Sequence, residues 1–188
     1  MTPLETTLQQ AGLELIGPGA QLSTLGANWL HDSPLLEDFT PAEADILGAA
    51  LLLVRARPGQ VLVTEGEVGD WMMLLLSGTV DVTRRTHVRA GDAAGGPASL
   101  PHEDSTRLAV IKAGAAVGEM SMLDGEPRYA TCTAIEVVEA GVMTRQAIAR
   151  LIQDHPAVGA KLLVKITQLL AQRLRNTSNQ LVRLLHKQ

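Results

Sequence analysis

Short apolar runs alternate with glycine and proline turns through the middle of the chain. The runs are rich in valine, leucine and threonine, and pairs such as Pro58-Gly59 and Ser77-Gly78 separate them. This spacing is typical of strands in an antiparallel meander. It predicts strands near residues 51–55, 60–64, 72–76, 79–83 and 108–112, and again across 130–143.

Helices are expected on both sides of these strands. Thr40, followed by Pro41 and Glu43, forms a capping box that is typical of a helix start. Thr144 is a second suitable N-cap, and a helix is predicted over residues 145–153. The pattern therefore predicts a mainly β fold with flanking helices.

The last and longest helix is predicted to begin at Pro156 and to run to about residue 186. Its apolar positions recur every three or four residues, as in a helix with a heptad-like seam. At 1.5 Å per residue the helix is about 45 Å long, more than a small β domain can cover. We therefore expect part of the stripe to pack against a second copy, in a homodimer. The stripe consists of Leu163, Ile166, Leu170, Leu174, Thr177, Leu181 and Leu184.

Three segments follow from this pattern. Residues 1–32 contain a Gly17-Pro18-Gly19 break and are expected to form a partly helical N-terminal extension. Residues 33–155 are expected to form the β domain with its short helices, and residues 156–188 the long helix. Residues 86–106 carry several glycines and prolines and are expected to form a long hairpin loop.

Composition and charge narrow the functional classes. The 188 residues carry 16 Lys and Arg against 20 Asp and Glu, a formal charge of −4, and only 2% of them are aromatic. This balance does not favour a nucleic acid partner, which needs a basic face or a platform of stacking rings. Cys132 is alone, and neither a signal peptide pattern nor an apolar run long enough for a membrane helix occurs. We expect a cytoplasmic protein with no membrane partner.

Candidate chemistry is concentrated in residues 118–131. Gly118 precedes a short helical turn whose free N–H groups suit an anion, and Arg128 can pair with that anion through two nitrogens. Glu119 beside an anion needs a neutral hydrogen-bond donor, and a ribose hydroxyl is such a group. An acceptor for a sugar and a forked cation for a phosphate together describe a nucleotide monophosphate.

These residues resemble the phosphate-binding cassette of the cyclic nucleotide-binding domain family. The pattern Gly-Glu-Met-Ser-Met begins at Gly118, and Pro-Arg-Tyr-Ala-Thr begins at Pro127 after four intervening residues. Upstream turns that contain Gly59, Gly66, Gly69 and Gly78 stand where the β-roll of the family turns. The resemblance covers about residues 33–186 and implies a jelly-roll-like β-roll with an N-terminal helical segment and a long C-terminal helix.

The family implies a role for each matching residue of the cassette. Glu119 would accept a hydrogen bond from the ribose 2′-hydroxyl, and Arg128 would pair with the cyclic phosphate. The hydroxyl of Ser121 and the backbone N–H groups near Met120 and Ala130 would complete the phosphate cradle.

The resemblance extends to the last helix. Thr177 and Ser178 stand where relatives contact the adenine amino group from two subunits, and Arg173, one turn earlier, would be near enough to pair with Glu119. The alternative for these three positions is an ordinary polar patch on a helix surface. The candidate ligand-binding residues are Gly118, Glu119, Met120, Ser121, Arg128, Tyr129, Ala130, Thr131, Arg173, Thr177 and Ser178.

Three departures limit what carries over from the family. Tyr129 replaces the small residue that usually follows the arginine, and Val117 replaces a larger apolar residue. In relatives that select cGMP, a hydroxyl on the small residue after the arginine favours guanine, and Tyr129 stands at that position here. The expected ligand is therefore cAMP, with cGMP as the alternative. The sequence ends just past the long helix, where bacterial transcription factors of this family continue into a DNA-reading domain, so a DNA-reading role is not expected.

The sequence is compatible with three functions. The sequence contains no catalytic motif and no metal-ligand spacing, so we expect neither an enzyme nor a metal or cofactor beside the nucleotide ligand. The first function is a cAMP sensor that signals through its last helix to an effector protein of unknown identity. The second is a nucleotide-independent interaction scaffold, and the third is a transcription regulator of the family type.

Overall fold

The computed structural model describes residues 2–85 and 105–185. Within these residues, nine strands form two antiparallel sheets and six α-helices flank them. The strands are β1 (Glu14–Pro18), β2 (Leu52–Ala56), β3 (Val61–Val63), β4 (Trp71–Ser77), β5 (Thr79–Arg85), β6 (Ser105–Lys112), β7 (Ala116–Val117), β8 (Thr131–Ala134) and β9 (Val138–Thr144). The helices are α1 (Pro3–Gln10), α2 (Ala27–Asp32), α3 (Pro41–Ala49), α4 (Glu119–Asp124), α5 (Arg145–Asp154) and α6 (Pro156–Leu185).

The two sheets share one apolar core. The first sheet has the strand order β1-β2-β9-β4-β7, and the second has the order β3-β8-β5-β6. Met73 lies opposite Val142 in the first sheet, and Val82 lies opposite Cys132 in the second. All four side chains are buried in the core between the sheets. This arrangement confirms the predicted fold class, mainly β with flanking helices.

A second apolar core lies between the helices and the outer face of the first sheet. Met72 and Leu74 of β4 belong to this core, whereas Met73 between them belongs to the first. Successive side chains of a strand point to opposite faces, so β4 is buried on both. This explains why its sequence is continuously apolar rather than alternating.

Residues 1–32 contribute a strand as well as helices. β1 pairs with β2 at the edge of the first sheet, with an irregular register between Leu15 and Gly17. Leu8 and Leu13 enter the core between the sheets. The sequence pattern does not predict this strand, because Gly17-Pro18 has the composition of a break. An edge strand accommodates a proline because no neighbouring strand requires its N–H.

The predicted hairpin loop lies largely outside the described residues. Ser105 and Thr106, which the sequence pattern assigns to that loop, belong to β6 instead, so the loop prediction is wrong for these two positions. Residues 86–104 fall outside the described part of the chain. The predicted helix end near residue 186 does too, and α6 is described as far as Leu185.

The first half of α6 is anchored to the segment that precedes β2. Leu162 and Ile166 are each only 1% exposed and belong to the helical core. Lys165 between them is also buried, and its ammonium group pairs with Glu37 at 2.7 Å and with Asp38 at 2.6 Å.

A second lysine anchors the same half of α6. The Nζ atom of Lys161 lies 2.6 Å from a carboxylate oxygen of Glu43 and 5.4 Å from the ring centroid of Phe39. Glu43 also accepts a hydrogen bond from the backbone N–H of Thr40, at 2.8 Å. The acidic residue that caps the start of α3 therefore also holds α6 in place.

Candidate functional site

The site is built around α4, a short helix between two glycines with positive φ. Gly118 has φ +77° and Gly125 has φ +79°. A Cβ atom at Gly118 would lie 2.7 Å from Nη1 of Arg128, so the position requires glycine for both its conformation and its close approach. Glu119 and Ser121 turn inward and are each 3% exposed, whereas Met120 faces outward.

Arg128 enters this site from the segment before β8. Its side chain is buried, and Nη1 donates to the carbonyl of Gly118 at 2.6 Å while Nη2 donates to the carbonyl of Trp71 at 2.7 Å. The guanidinium also lies over the Trp71 ring, 4.3 Å from its centroid. Gly69 leaves room for this packing, because a Cβ atom there would lie 2.6 Å from Nη2.

The charge of Arg128 lacks a direct counter-ion in the part of the chain that the structure describes. Among residues 2–85 and 105–185, its hydrogen bonds go to carbonyl groups and no carboxylate forms an ion pair with it. Burial lowers the pKa of this guanidinium, although an arginine stays charged throughout the usual pH range. A buried cation without an ion-pair partner favours the approach of an anion.

Glu119 connects the site to α6. Its carboxylate is paired with Nη1 of Arg173, and Nη2 of Arg173 donates to the carbonyl of Ala116 at 3.0 Å. Burial raises the pKa of Glu119, and the charge of Arg173 opposes that rise. The structure therefore brings Glu119 and Arg173 together, as the family resemblance implies.

The residues that follow Arg128 have separate environments. Tyr129 is half exposed, and the guanidinium of Arg84 lies 4.0 Å from its ring centroid. Ala130 packs against the core between the sheets. The hydroxyl of Thr131 accepts a hydrogen bond from the backbone N–H of Glu65 at 3.0 Å, so it supports the neighbouring turn.

Thr177 and Ser178 lie farther along α6 and are exposed. The hydroxyl of Thr177 donates to the carbonyl of Arg173 in the preceding turn, at 3.0 Å. Within the described residues, neither side chain forms a hydrogen bond with α4 or with Arg128. Their expected contact with a base stays a prediction.

Three residues near the site carry no signal in the cassette motif. Trp71 stacks on Arg128 and Arg84 stacks on Tyr129. Arg145 donates hydrogen bonds to carbonyl groups of α4. Of the three, only Arg145 could have been noticed in the sequence, because an arginine is unfavourable at the first position of a helix. The contacts of Trp71 and Arg84 depend on the folded positions of distant strands.

The arrangement places a buried forked cation and a buried carboxylate beside the start of α4. Arg128 can pair with a phosphate, and Glu119 can accept from a sugar hydroxyl. Within the described residues, no group of three or more His, Cys, Asp or Glu side chains could hold a metal ion. No helix in this part of the chain is long and apolar enough to cross a membrane.

Comparison with known proteins gives the same assignment as the geometry. The model of a family described as "Cyclic nucleotide-binding domain" matches residues 53–155, more than half of the chain. This chain belongs to the cyclic nucleotide-binding domain family. The resemblance inferred from the cassette is thereby confirmed.

Two of the similar proteins are named as regulators. The chain is 32% identical, over 127 residues, to a protein of Mycobacterium tuberculosis named "CRP-like cAMP-activated global transcriptional regulator", covering 68% of this chain and 49% of that protein. It is 29% identical, over 130 residues, to a "cAMP-dependent protein kinase regulatory subunit" of Yarrowia lipolytica, covering 68% of this chain and 30% of that protein. The chain thus spans about half or less of the length of these relatives.

A solved structure covers nearly the whole chain. The crystal structure of a cyclic nucleotide-binding domain from Methylobacillus flagellatus KT has a TM-score of 0.70 and 28% identity, covering 90% of this chain and 88% of that chain. This similarity identifies the two sheets and their flanking helices as the β-roll of cyclic nucleotide-binding domains.

Proposed function

We propose that this cyclic nucleotide-binding domain is a cAMP sensor that signals through α6 to an effector protein. The observation that carries the proposal is the buried guanidinium of Arg128, which has no ion-pair partner in the described residues. The names of the two sequence relatives include cAMP, which supports cAMP over cGMP. The role is regulatory rather than enzymatic, and the single cysteine is compatible with a reducing cytoplasm.

The cyclic phosphate is proposed to pair with Arg128. Because its nitrogens already donate to the carbonyls of Gly118 and Trp71, the guanidinium is held in place before ligand arrives. Preorganisation of this kind lowers the free energy lost on binding. Ser121 and the N–H groups of Met120 and Ala130 are proposed to complete the cradle.

The ribose is proposed to contact Glu119 and thereby to act on α6. Glu119 is paired with Arg173 of α6 in this structure. A 2′-hydroxyl that donates to Glu119 changes the partners of that carboxylate. A ligand shifts an equilibrium only if it binds one arrangement more tightly than the other, and the Glu119–Arg173 pair supplies such a difference.

The second half of α6 is proposed to pack against a second copy of the chain. Leu174, Leu181 and Leu184 are exposed, and Leu174 is 69% exposed. The described part of α6 contains no acidic residue, and Arg175 and Arg183 have no ion-pair partner among the described residues. A second copy offers both a matching apolar stripe and an acidic body, because all Asp and Glu residues precede Pro156.

Titration calorimetry with cAMP and with cGMP tests the proposal. Binding of cAMP with a higher affinity than cGMP supports it, and no heat at millimolar ligand contradicts it. Arg128→Ala should weaken binding by about 10- to 150-fold, since a hydrogen bond to a charged group contributes about 1.5–3 kcal/mol. Arg150→Ala, a change at an exposed position of α5, is the matched control and should leave the affinity unchanged.

A nucleotide-independent scaffold is the second candidate. One observation favours it: Arg128 has two carbonyl partners and Glu119 has Arg173, so the fold does not need a nucleotide to satisfy these groups. Absence of binding in both titrations would support the scaffold. A gel shift with random duplex DNA at low salt would test the third candidate, a transcription regulator.

A further inference from the structure

An arginine occupies the first position of α5, where a cation is unfavourable. The hydroxyl of Thr144 caps this helix by accepting from the backbone N–H of Ala147 at 3.0 Å, and Arg145 follows as its first residue. The N-terminus of a helix carries a partial positive charge, so a cation there is repelled. The local structure of α5 therefore does not explain Arg145.

The contacts of Arg145 with α4 provide the compensation. Its Nε donates to the carbonyl of Met122 at 2.7 Å, and its Nη2 donates to the carbonyl of Ser121 at 3.4 Å. The carbonyl of Met122 lies in the C-terminal half of α4, where carbonyl groups carry a partial negative charge, and the carbonyl of Ser121 also accepts from the backbone N–H of Gly125 at 2.9 Å. The backbone N–H of Arg145 donates to the carbonyl of Asp70 at 2.7 Å.

Arg145 and Arg128 thus hold the same two segments together. Arg128 bonds the carbonyl of Gly118, just before α4, and that of Trp71, the first residue of β4. Arg145 bonds the other end of α4 and, through its backbone, Asp70 just before β4. A displacement of α4 by ligand at Arg128 therefore changes the contacts of Arg145.

The contact of α5 with α6 extends this connection. A Cβ atom at Gly159 of α6 would lie 2.6 Å from Cγ1 of Ile152 in α5, so the two helices pack without room for a side chain between them at that point. Tightly packed elements move together rather than deforming independently. A shift at the start of α5 is therefore passed to the first turn of α6.

We propose that Arg145 is a positioning residue that transmits the occupancy of the site from α4 to α5 and α6. This inference rests on the proposed function for the nature of the signal, a cyclic nucleotide. The connection between α4 and α5 is a property of the ligand-free chain and is testable without ligand.

Hydrogen exchange of the ligand-free full chain tests the connection itself. Arg145→Gln removes the charge and the two bonds to α4, and Arg150→Gln removes a charge from an exposed position of the same helix. We expect Arg145→Gln to raise the exchange rate of α4 amides at least about fivefold, the lower end of common coupling strengths. Arg150→Gln should leave it unchanged, and equal rates in both variants would overturn the proposal.

A second set of exchange measurements adds saturating cAMP. The unchanged protein should gain protection in α4, α5 and α6, whereas Arg145→Gln should gain it in α4 only. Arg145→Lys, which retains the charge, should restore part of the α5 and α6 response. A full α6 response in Arg145→Gln would overturn the proposal. If the unchanged protein gains no protection in α4, the proposed function fails, and the ligand-free measurement decides the role of Arg145.

Discussion

The two halves of α6 differ in how the chain covers their apolar residues. In the first half, Leu162 and Ile166 are buried and Lys165 has two carboxylate partners. In the second half, Leu174 and Leu181 project into solvent. Both halves have the same helical spacing of leucines in the sequence.

This difference assigns distinct roles to one continuous helix. The first half stabilises the fold, because its apolar side chains complete the core around α3 and β4. The second half adds little to the stability of a single chain and is available to a second copy or a partner. Arg173 lies between the halves and ties the helix to Glu119, so the site is placed at their boundary.

Stability measurements should give the largest contrast between the halves. Leu162→Ala creates a cavity in the core, and we expect it to lower the free energy of unfolding by about 2–5 kcal/mol. Leu174→Ala at an exposed position should change it by no more than about 0.5 kcal/mol in dilute protein. Urea unfolding of both variants measures the difference, and equal losses would contradict the division of the helix.

Self-association should depend on the second half alone. Leu181→Asp places a charge on the exposed stripe, and we expect the dimer dissociation constant to rise about 100-fold, equivalent to about 2.7 kcal/mol. Asn179→Asp adds the same charge at an exposed position away from the stripe and is the control. Sedimentation equilibrium measures both, and a monomeric unchanged protein would refute the dimer.

Acidification should loosen the helix at the site before it loosens the anchored half. Burial raises the pKa of Glu119, whereas the hydrogen bond from Lys161 lowers the pKa of Glu43, both from an ordinary value of 4.5. The Glu43 pair therefore contributes stability that is present above pH 4.5 and is lost as the pH falls through its lowered pKa.

The ionisation of Glu119 affects stability in the opposite direction from that of Glu43. Its raised pKa means that its ionised form is unfavourable in the fold, so protonation as the pH falls relieves that cost while it breaks the pair with Arg173. Carbon-13 NMR titration of the carboxyl groups should give a midpoint above 4.5 for Glu119 and below 4.5 for Glu43. A lower midpoint for Glu119 than for Glu43 would contradict the expected difference between the carboxylate that pairs with Arg173 and the one that pairs with Lys161.

Base selection should show the smallest effect. If Thr177 contacts the base across the dimer, Thr177→Ala should narrow the preference for cAMP over cGMP by about 2- to 10-fold, corresponding to one neutral hydrogen bond of about 0.5–1.5 kcal/mol. Thr177→Ser keeps the hydroxyl and should retain the preference. Competition titrations measure the ratio, and an unchanged ratio in Thr177→Ala means that α6 does not read the base.

Local patterns account for the parts of the fold that were predicted correctly. The capping boxes and N-caps at Thr40 and Thr144 involve residues three positions apart, so their spacing in the sequence is enough to place them. β1 was missed because its pairing with β2 joins residues about 40 positions apart and its Gly17-Pro18 sequence has the composition of a turn.

The distinction between local patterns and long-range contacts also applies to the site. The motif identified Glu119 and Arg128, and the structure buries both within the predicted β-roll. It did not identify Trp71 as a neighbour of Arg128, or Arg145 as a neighbour of α4, because these contacts link residues 23 to 57 positions apart. Such contacts depend on how the strands pair and on which face each side chain takes.

The sequence by itself determined a mainly β fold with flanking helices and a long C-terminal helix, because these depend on local spacing and capping, and its motif at residues 118–131 indicated the family. Only the tertiary structure decided that Leu162 and Ile166 of α6 are buried whereas Leu174 and Leu181 are exposed, and that Arg128 is held by two carbonyls. It also decided that Arg145 bonds the end of α4. Burial and long-range hydrogen bonds depend on the positions of whole elements, which no short pattern of residues specifies.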